Sequence, residues 1–439
     1  MDFFLFDGRI WQGRGRFAES MILRRGRIAA VGRQRELRPY AEGCTFLSCG
    51  GRTVIPGLLD ACLCQEAAAS PLPKGENGLE EGVQGWMVAH PRQAKRGARL
   101  YWRSGGAELS RARLERLWPY GPLVLEDGAR QASWANAGAL ALLERRGLPP
   151  GLRPHMEFDG EGRPTGRVSG PVCGLLADCL PRESQKARTE ALLRVLRQAG
   201  AAGVTSLCCV TREPGLLAVA RGSEALPRVQ CCSRAGRRRS LRLAGRLTPP
   251  EQLAAFRWQP GQPVIPVPDG PALDAALEGL SRWTEAQRRL RRPTLLGLSA
   301  AGPAQLGRIG ALAPGVTVFP SLPADTAPEE HILPLRTLLG LGVPVAFGGW
   351  DSLQPFAALQ AAVCREDREA LTVEQGLECL TAGGQATVFS EDSLGRLRPG
   401  YLADVLVLEG DPFSLPAGQL GQVRPVLTLA AGQVLHREI

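Results

Sequence analysis

RTEALLRVLRQAGAAGVTSLCCV (188–210) carries the pattern that decides the fold. An amphipathic stretch rich in Ala, Leu and Arg runs into a small-residue break at Ala201–Ala202–Gly203, and a short, continuous apolar run follows. A helix feeding a buried strand is the repeating piece of a parallel sheet. The same alternation appears on either side, in PLVLED (122–127) followed by SWANAGALALLERRGL (133–148), and in GPALDAALEGLSRW (270–283). Residues 57–394 are therefore expected to form βα units. The two ends read differently. FFLFDGRI (3–10), MILRRGRIAAVG (21–32) and CTFLSCGGRTVIPG (44–57) are short apolar runs with glycine at the turns, and the pattern returns in GRLRPGYLADVLVLEGDPF (395–413) and PVLTLAAGQVLHREI (425–439). Each end alone is too small to bury a core, so residues 1–56 and 395–439 are expected to pair into one composite β-sandwich.

Composition narrows the function classes. At 439 residues, with 44% hydrophobic and 22% charged residues, the chain can bury a sizeable core, and with only 5% aromatics that core must be aliphatic. The formal net charge of +10 does not mark a nucleic-acid footprint. Only Lys74, Lys95 and Lys186 are lysine, and the arginines are spread over the whole chain rather than gathered with stacking aromatics. The runs Arg237–Arg239 and Arg288–Arg292 sit beside helix-like stretches and read as solvated faces. No apolar run reaches 18 residues, so no membrane span is expected. The twelve cysteines lie mostly in apolar runs of a long chain, which points to buried thiols in a reducing compartment. With no basic leader before the first apolar run, the expectation is a cytoplasmic protein. The polar segment 65–85 is expected to be a loop over one end of the βα region.

Several runs resemble the amidohydrolase superfamily: ILRRGRIAAVGRQREL (22–37), GGRTVIPGLLDACLC (50–64) and LGRLRPGYLADVLVLEGDP (394–412). WMVAH (86–90), SWANAGAL (133–140), DGEGRPTGRV (159–168), AAGVTSL (201–207), VPVAFGG (343–349), AAVCRE (361–366) and LTVEQGLECLTAGGQAT (371–387) extend the likeness in order along the chain. They are similar to the branch of N-substituted formamide deformylases. The resemblance implies an α/β fold, a (β/α)8 barrel with a composite β-sandwich. The chemistry it implies is metal-assisted hydrolysis of carbon–nitrogen bonds other than peptide bonds, carried out at the C-terminal ends of the strands.

The positions where the resemblance would place metal ligands carry other residues. The His-x-His pair of the first strand becomes Cys62 and Cys64. A histidine ahead of Trp134 and Asn136 becomes Gln131, and the acidic or imidazole position after the Gly-Val-Thr-Ser strand becomes Cys208 and Cys209. Pro266 replaces a histidine, with Asp269 in the turn beyond it, and Leu296 and Gly297 replace a Glu-His pair. The aspartate of the last strand becomes Trp350, with Asp351 as the fallback if one residue has been inserted. No lysine follows Lys186, so that later part of the barrel cannot supply a bridging carbamylated lysine. His90, His155, His331 and His436 all fall off the ligand positions.

Two chemistries stay open. Small buried cysteines could merely fill strand ends once imidazole is not needed, or Cys62, Cys64 and Cys208 could form a thiolate zinc site. The first is expected, with no cofactor, no hydrolytic centre and the indole of Trp350 filling the space of the ions. The second would be an active hydrolase with rebuilt zinc ligation. The pocket residues expected on this reading are Gln131, Trp134, Asn136, Pro266, Asp269, Leu296, Gly297, Trp350 and Asp351. The expected partners are a small molecule at the barrel mouth, a second copy of the chain or a paralogue.

Overall fold

The computed structural model describes residues 2–64, 78–102, 109–127, 132–180, 184–210, 225–233, 243–256, 261–267, 269–321, 333–350 and 352–439. By internal contacts the chain divides into two compact units, residues 1–65 with 189–439, and residues 66–188.

The first unit is built on eight parallel strands: β1 (Leu58–Cys64), β2 (Val204–Val210), β3 (Arg228–Ser233), β4 (Leu243–Leu247), β5 (Gln262–Pro266), β6 (Thr294–Leu296), β7 (Gly315–Val318) and β8 (Val345–Phe347). Each is hydrogen-bonded to the next in chain order. Just past β8, Trp350 forms a single parallel bridge to Leu63 of β1, and its N–H donates to the Cys62 carbonyl at 2.8 Å. The first and last strands of the row meet there.

Side chains alternate across this sheet. Ile265, Leu295, Val316, Val318, Val345 and Phe347 point to one face. There they pack on Leu273, Leu277 and Leu280 of the helix Gly270–Ser281, Ile309 of Pro303–Leu312, Leu338 of Leu335–Gly340 and Leu359 of Pro355–Val363. The caps explain where these helices start. Asp269 accepts from Ala272 N–H at 2.8 Å, and Thr284 and Gln287 form a reciprocal capping box on Glu285–Arg291.

The terminal strands form two further sheets. One holds, in spatial order, Gln433–Arg437, Pro425–Ala430, Val405–Leu408, Thr53–Pro56, Arg9–Trp11 and Phe17–Ala18. Val405–Leu408 from the C-terminal segment pairs antiparallel with Thr53–Pro56 from the N-terminal one, Leu406 opposite Ile55. The other sheet holds Arg27–Gly32, Ser20–Arg24, Phe3–Phe6 and Thr45–Ser48. One apolar cluster joins them, with Phe3, Leu5, Met21, Leu23 and Ile28 on one side and Val54, Val405, Val407, Leu427 and Leu429 on the other. Arg228 at the start of β3 forms a two-pronged ion pair with the buried Asp404.

Residues 66–188 depart from the expected βα alternation. They carry their own mixed sheet, ordered Met156–Phe158, Pro164–Ser169, Ala132–Ala135, Leu123–Asp127 and Ala98–Tyr101, in which only the last two strands are parallel. Its largely aliphatic core holds three fully buried tryptophans, Trp102, Trp118 and Trp134, with the Trp102 and Trp134 rings 5.4 Å apart. The expected loop over 65–85 needs correcting as well. Residues 65–77 lie outside the described residues, but Leu79–Ala89 is a helix, because Leu79 and Val83, four apart, present one apolar face to that core.

Candidate active site

The C-terminal ends of the strands are where a βα sheet exposes the residues that can do chemistry. Here those ends converge on apolar side chains. Cys62 of β1, Cys208 and Val210 of β2, Leu247 of β4, Val264 of β5, Leu296 of β6, Phe319 just past β7 and Trp350 just past β8 form one cluster. Cys62, Cys208, Val264 and Leu296 are buried, and the other four pack against them while half-buried. The Phe319 and Trp350 rings meet edge to face, 5.9 Å between centroids at 76°.

Glycines make this closure feasible. A Cβ on Gly348 would lie 2.8 Å from the Phe319 ring and 3.1 Å from the Cys62 Cβ, so any side chain there would push the plug apart. Trp350 itself sits at φ +56, a left-handed conformation that is costly for a bulky residue, on the order of 1–3 kcal/mol. Its backbone is held on one side by the Cys62 carbonyl.

Asp60 secures the same junction. One of its oxygens, Oδ1, accepts the N–H groups of Cys62 at 3.0 Å and Gly349 at 3.1 Å, tying β1 to the segment beyond β8. Burial pushes its carboxyl up to about 7, against the downward pull of those two hydrogen bonds. The sequence reading passed over this residue, although a lone carboxylate inside the apolar strand LLDACLC was the signal that could have found it.

The anticipated site residues have scattered fates. Trp350, Leu296, Cys62 and Cys208 come together in the plug. Gly297 lies beside it at φ +79, where a Cβ would stand 3.3 Å from Phe319. Pro266 ends β5, half-buried, and Asp269 is spent as a helix cap. Trp134 and Asn136 belong to the second unit. Trp134 is core, while Asn136 caps Ala137–Arg146, accepting from Leu123 N–H and Ala139 N–H and donating to the Gly121 carbonyl. Gln131 and Asp351 lie outside the described residues, as does the side chain of Cys64, whose backbone belongs to β1.

Of the histidines, His90 stacks on Trp86, His155 ends the 3₁₀ turn Pro150–His155, and His436 pairs with Glu438 in a terminal strand; His331 lies outside the described residues. A hydrolytic metal needs at least three imidazole, carboxylate or thiolate ligands around one point. Among the described residues no group of three or more His, Cys, Asp or Glu is placed to hold one. Among the described residues, the cluster at the strand ends offers two sulfurs, aliphatic groups and two aromatic rings, a donor set that does not fit such an ion.

Residues 255–436 match the amidohydrolase family. A stretch of 118 residues is 30% identical to YtcJ of Bacillus subtilis (strain 168), which carries the amidohydrolase name; it covers 24% of this chain and 22% of that protein, about a fifth of the relative's length. Similarity of fold extends much further. An uncharacterized metal-dependent hydrolase from Pyrococcus furiosus superposes with a TM-score of 0.69 at 18% identity, covering 94% of this chain and all of that one. Another from Pyrococcus horikoshii OT3 gives 0.67 at 16% identity over 95% of this chain and 99% of its own. The zinc complex of atrazine chlorohydrolase TrzN from Arthrobacter aurescens TC1 gives 0.61 at 14% identity, over 99% and 95%. The matched region, residues 255–436, contains β5 to β8 and strands of the C-terminal segment. Among the described residues no helix is long and apolar enough to cross a membrane.

Proposed function

We propose that this chain is an amidohydrolase-type (β/α)8 barrel, with a β-sandwich made of residues 1–56 and 395–439, that does not run the family's metal-dependent hydrolysis and instead binds a small molecule or a partner chain at the mouth. The placement in the formamide deformylase-like branch rests on the motif order along the chain. The observation that carries the functional reading is the apolar cluster of Cys62, Cys208, Val264, Leu296, Phe319 and Trp350 where the strand ends converge. Water activation by an ion requires hard or imidazole ligands and an open coordination position. An indole edge-on to a phenyl ring supplies neither.

The test is metal loading of the full-length protein under reducing conditions. After growth with added zinc, manganese or iron, elemental analysis and calorimetric titration should find well under one equivalent per chain. One tightly held zinc, lost on Cys62→Ser or Cys208→Ser, would overturn the reading and establish a thiolate centre.

A further inference from the structure

A recess of about 310 Å³ lies away from the strand ends, where the turn at Gln12–Arg16 meets the helix Val373–Leu380 and the loop before Tyr401. Its charged lining is Arg16, Arg396 and Arg398 against the single carboxylate of Glu378, and Trp11 and Pro56 give it an apolar wall.

The cations outnumber the carboxylates. Arg396 approaches Glu378 only to 3.8 Å. Arg398 is oriented by the Tyr401 hydroxyl, to which it donates at 2.5 Å, and lies over that ring, 4.3 Å from its centroid, so it keeps its charge. Arg16 has no ion pair among the described residues. The other nearby carboxylate, Glu374, is taken up by the Trp11 indole N–H at 3.1 Å and the Gly15 N–H at 2.7 Å, which fixes the turn that presents Arg16. Arg14, on the same turn, adds its field at Glu378. Counting Arg14, Arg16, Arg396 and Arg398 against Glu374 and Glu378 leaves two positive charges in excess. Burial holds the Glu378 carboxyl above the usual range, opposed by Arg396, raised further by Glu374 and opposed by Arg14.

We propose that this recess binds a small organic oxyanion, a phosphate- or carboxylate-headed molecule whose compact apolar body lies on Trp11. Guanidinium groups match such heads with paired, charge-assisted hydrogen bonds, and the volume is that of a small-ligand pocket. The site shares no residue with the strand-end plug, so it stands whether or not that plug excludes a metal.

Calorimetric titration of the full chain with phenyl phosphate, benzoate and uncharged benzyl alcohol tests it. One of the two anions should bind one to one, and which of them does identifies the head group; benzyl alcohol should not bind. Arg16→Ala and Arg396→Ala should each weaken binding by about tenfold to a hundredfold, and Glu378→Gln should strengthen it. Arg289→Ala, an exposed arginine paired with Glu285 on another helix, should leave it unchanged, and circular dichroism should show all four variants folded. No saturable binding of either anion, or binding indifferent to both Arg16→Ala and Arg396→Ala in folded protein, would overturn the proposal.

Discussion

The two ends of the parallel strands have opposite chemistry, and within single strands the change takes two residues. In β5, Gln262 at the N-terminal end is buried and polar, donating to the Arg292 carbonyl at 2.8 Å, the Thr294 hydroxyl at 3.0 Å and the Thr387 carbonyl at 2.7 Å. Val264, next on the same face, belongs to the apolar plug. In β6, Thr294 and Leu296 repeat the pair. Polar residues at the N-terminal ends of such a sheet serve stability, whereas polar residues at the C-terminal ends serve chemistry. Here the N-terminal layer is polar and hydrogen-bonded, and the described side chains at the C-terminal ends are of the kind that belongs in a core. That contrast is what the amidohydrolase reading must accommodate.

Asp60 is a buried carboxyl beside the apolar cluster, so pH should act there, and this is the largest effect expected. Its native carboxyl titrates near 7 against 3.8 in the unfolded chain. Between those values the native state holds a proton that the unfolded state has released, so stability falls as pH rises from about 4 to about 7 and is flat above. Three pH units correspond to about 4 kcal/mol. Asp60→Asn keeps an oxygen for the Cys62 and Gly349 N–H groups and removes the proton, so denaturant unfolding at pH 8 should show the variant more stable than the parent by up to that amount, with the advantage gone at pH 4. An unchanged pH slope in Asp60→Asn would mean that the charge is dissipated through contacts outside this junction.

A smaller effect tests the other end. Gln262→Leu keeps the volume and leaves the Arg292 and Thr387 carbonyls without their donor in a buried layer, at a cost of about 3 kcal/mol. Thermal unfolding should register it as a lowered transition with no change in the near-ultraviolet signal of the Trp350 region. Tolerance of this change would mean that the lower layer is not what holds the strands, and the contrast between the ends would lose its meaning.

How much of this could be read beforehand depended on whether parity along a strand was enough. The succession of helix and strand in 188–210, the like character of the two termini, and the identity of Cys62, Cys208, Pro266 and Leu296 at positions where the resemblance would put ligands are properties of residue identity and local period, and they were legible. The composition of the plug was not. The pairing of β1 with β2 slips twice, between Val204 and Ser206 and between Leu207 and Cys209. Simple alternation therefore cannot say which of Ala61 and Cys62 joins which layer; Ala61 packs with Leu59, Ala346 and Val388, while Cys62 packs in the plug. Phe319 and Leu247 join the plug through tertiary convergence that no local pattern announces. The separate sheet of residues 66–188 was missed for a related reason. Short apolar runs beside helices look alike whether the strands pair parallel or antiparallel, and only the register, such as Leu125 opposite Trp134, decides.

The smallest expected effect is the most discriminating about the plug, because it separates what the Trp350 ring contributes from what its backbone costs. Trp350→Ala and Trp350→Gly remove the same indole from the same Phe319 and Cys62 surroundings, so the lost packing is common to both. They differ at the backbone. With φ at +56, alanine keeps a Cβ that the left-handed conformation disfavours by about 1–2 kcal/mol, whereas glycine adopts it freely but loses more entropy from the unfolded chain, about 0.4–1 kcal/mol. If the bridge to Leu63 and the hydrogen bond to the Cys62 carbonyl hold the backbone in place after truncation, the glycine variant should be the more stable by about 0.5–1 kcal/mol in denaturant titration. If alanine proves the more stable, the backbone relaxes once the ring is gone. The ring's own packing would then be what forces the left-handed turn, and the plug would be held shut by Trp350 rather than by the strand junction beneath it.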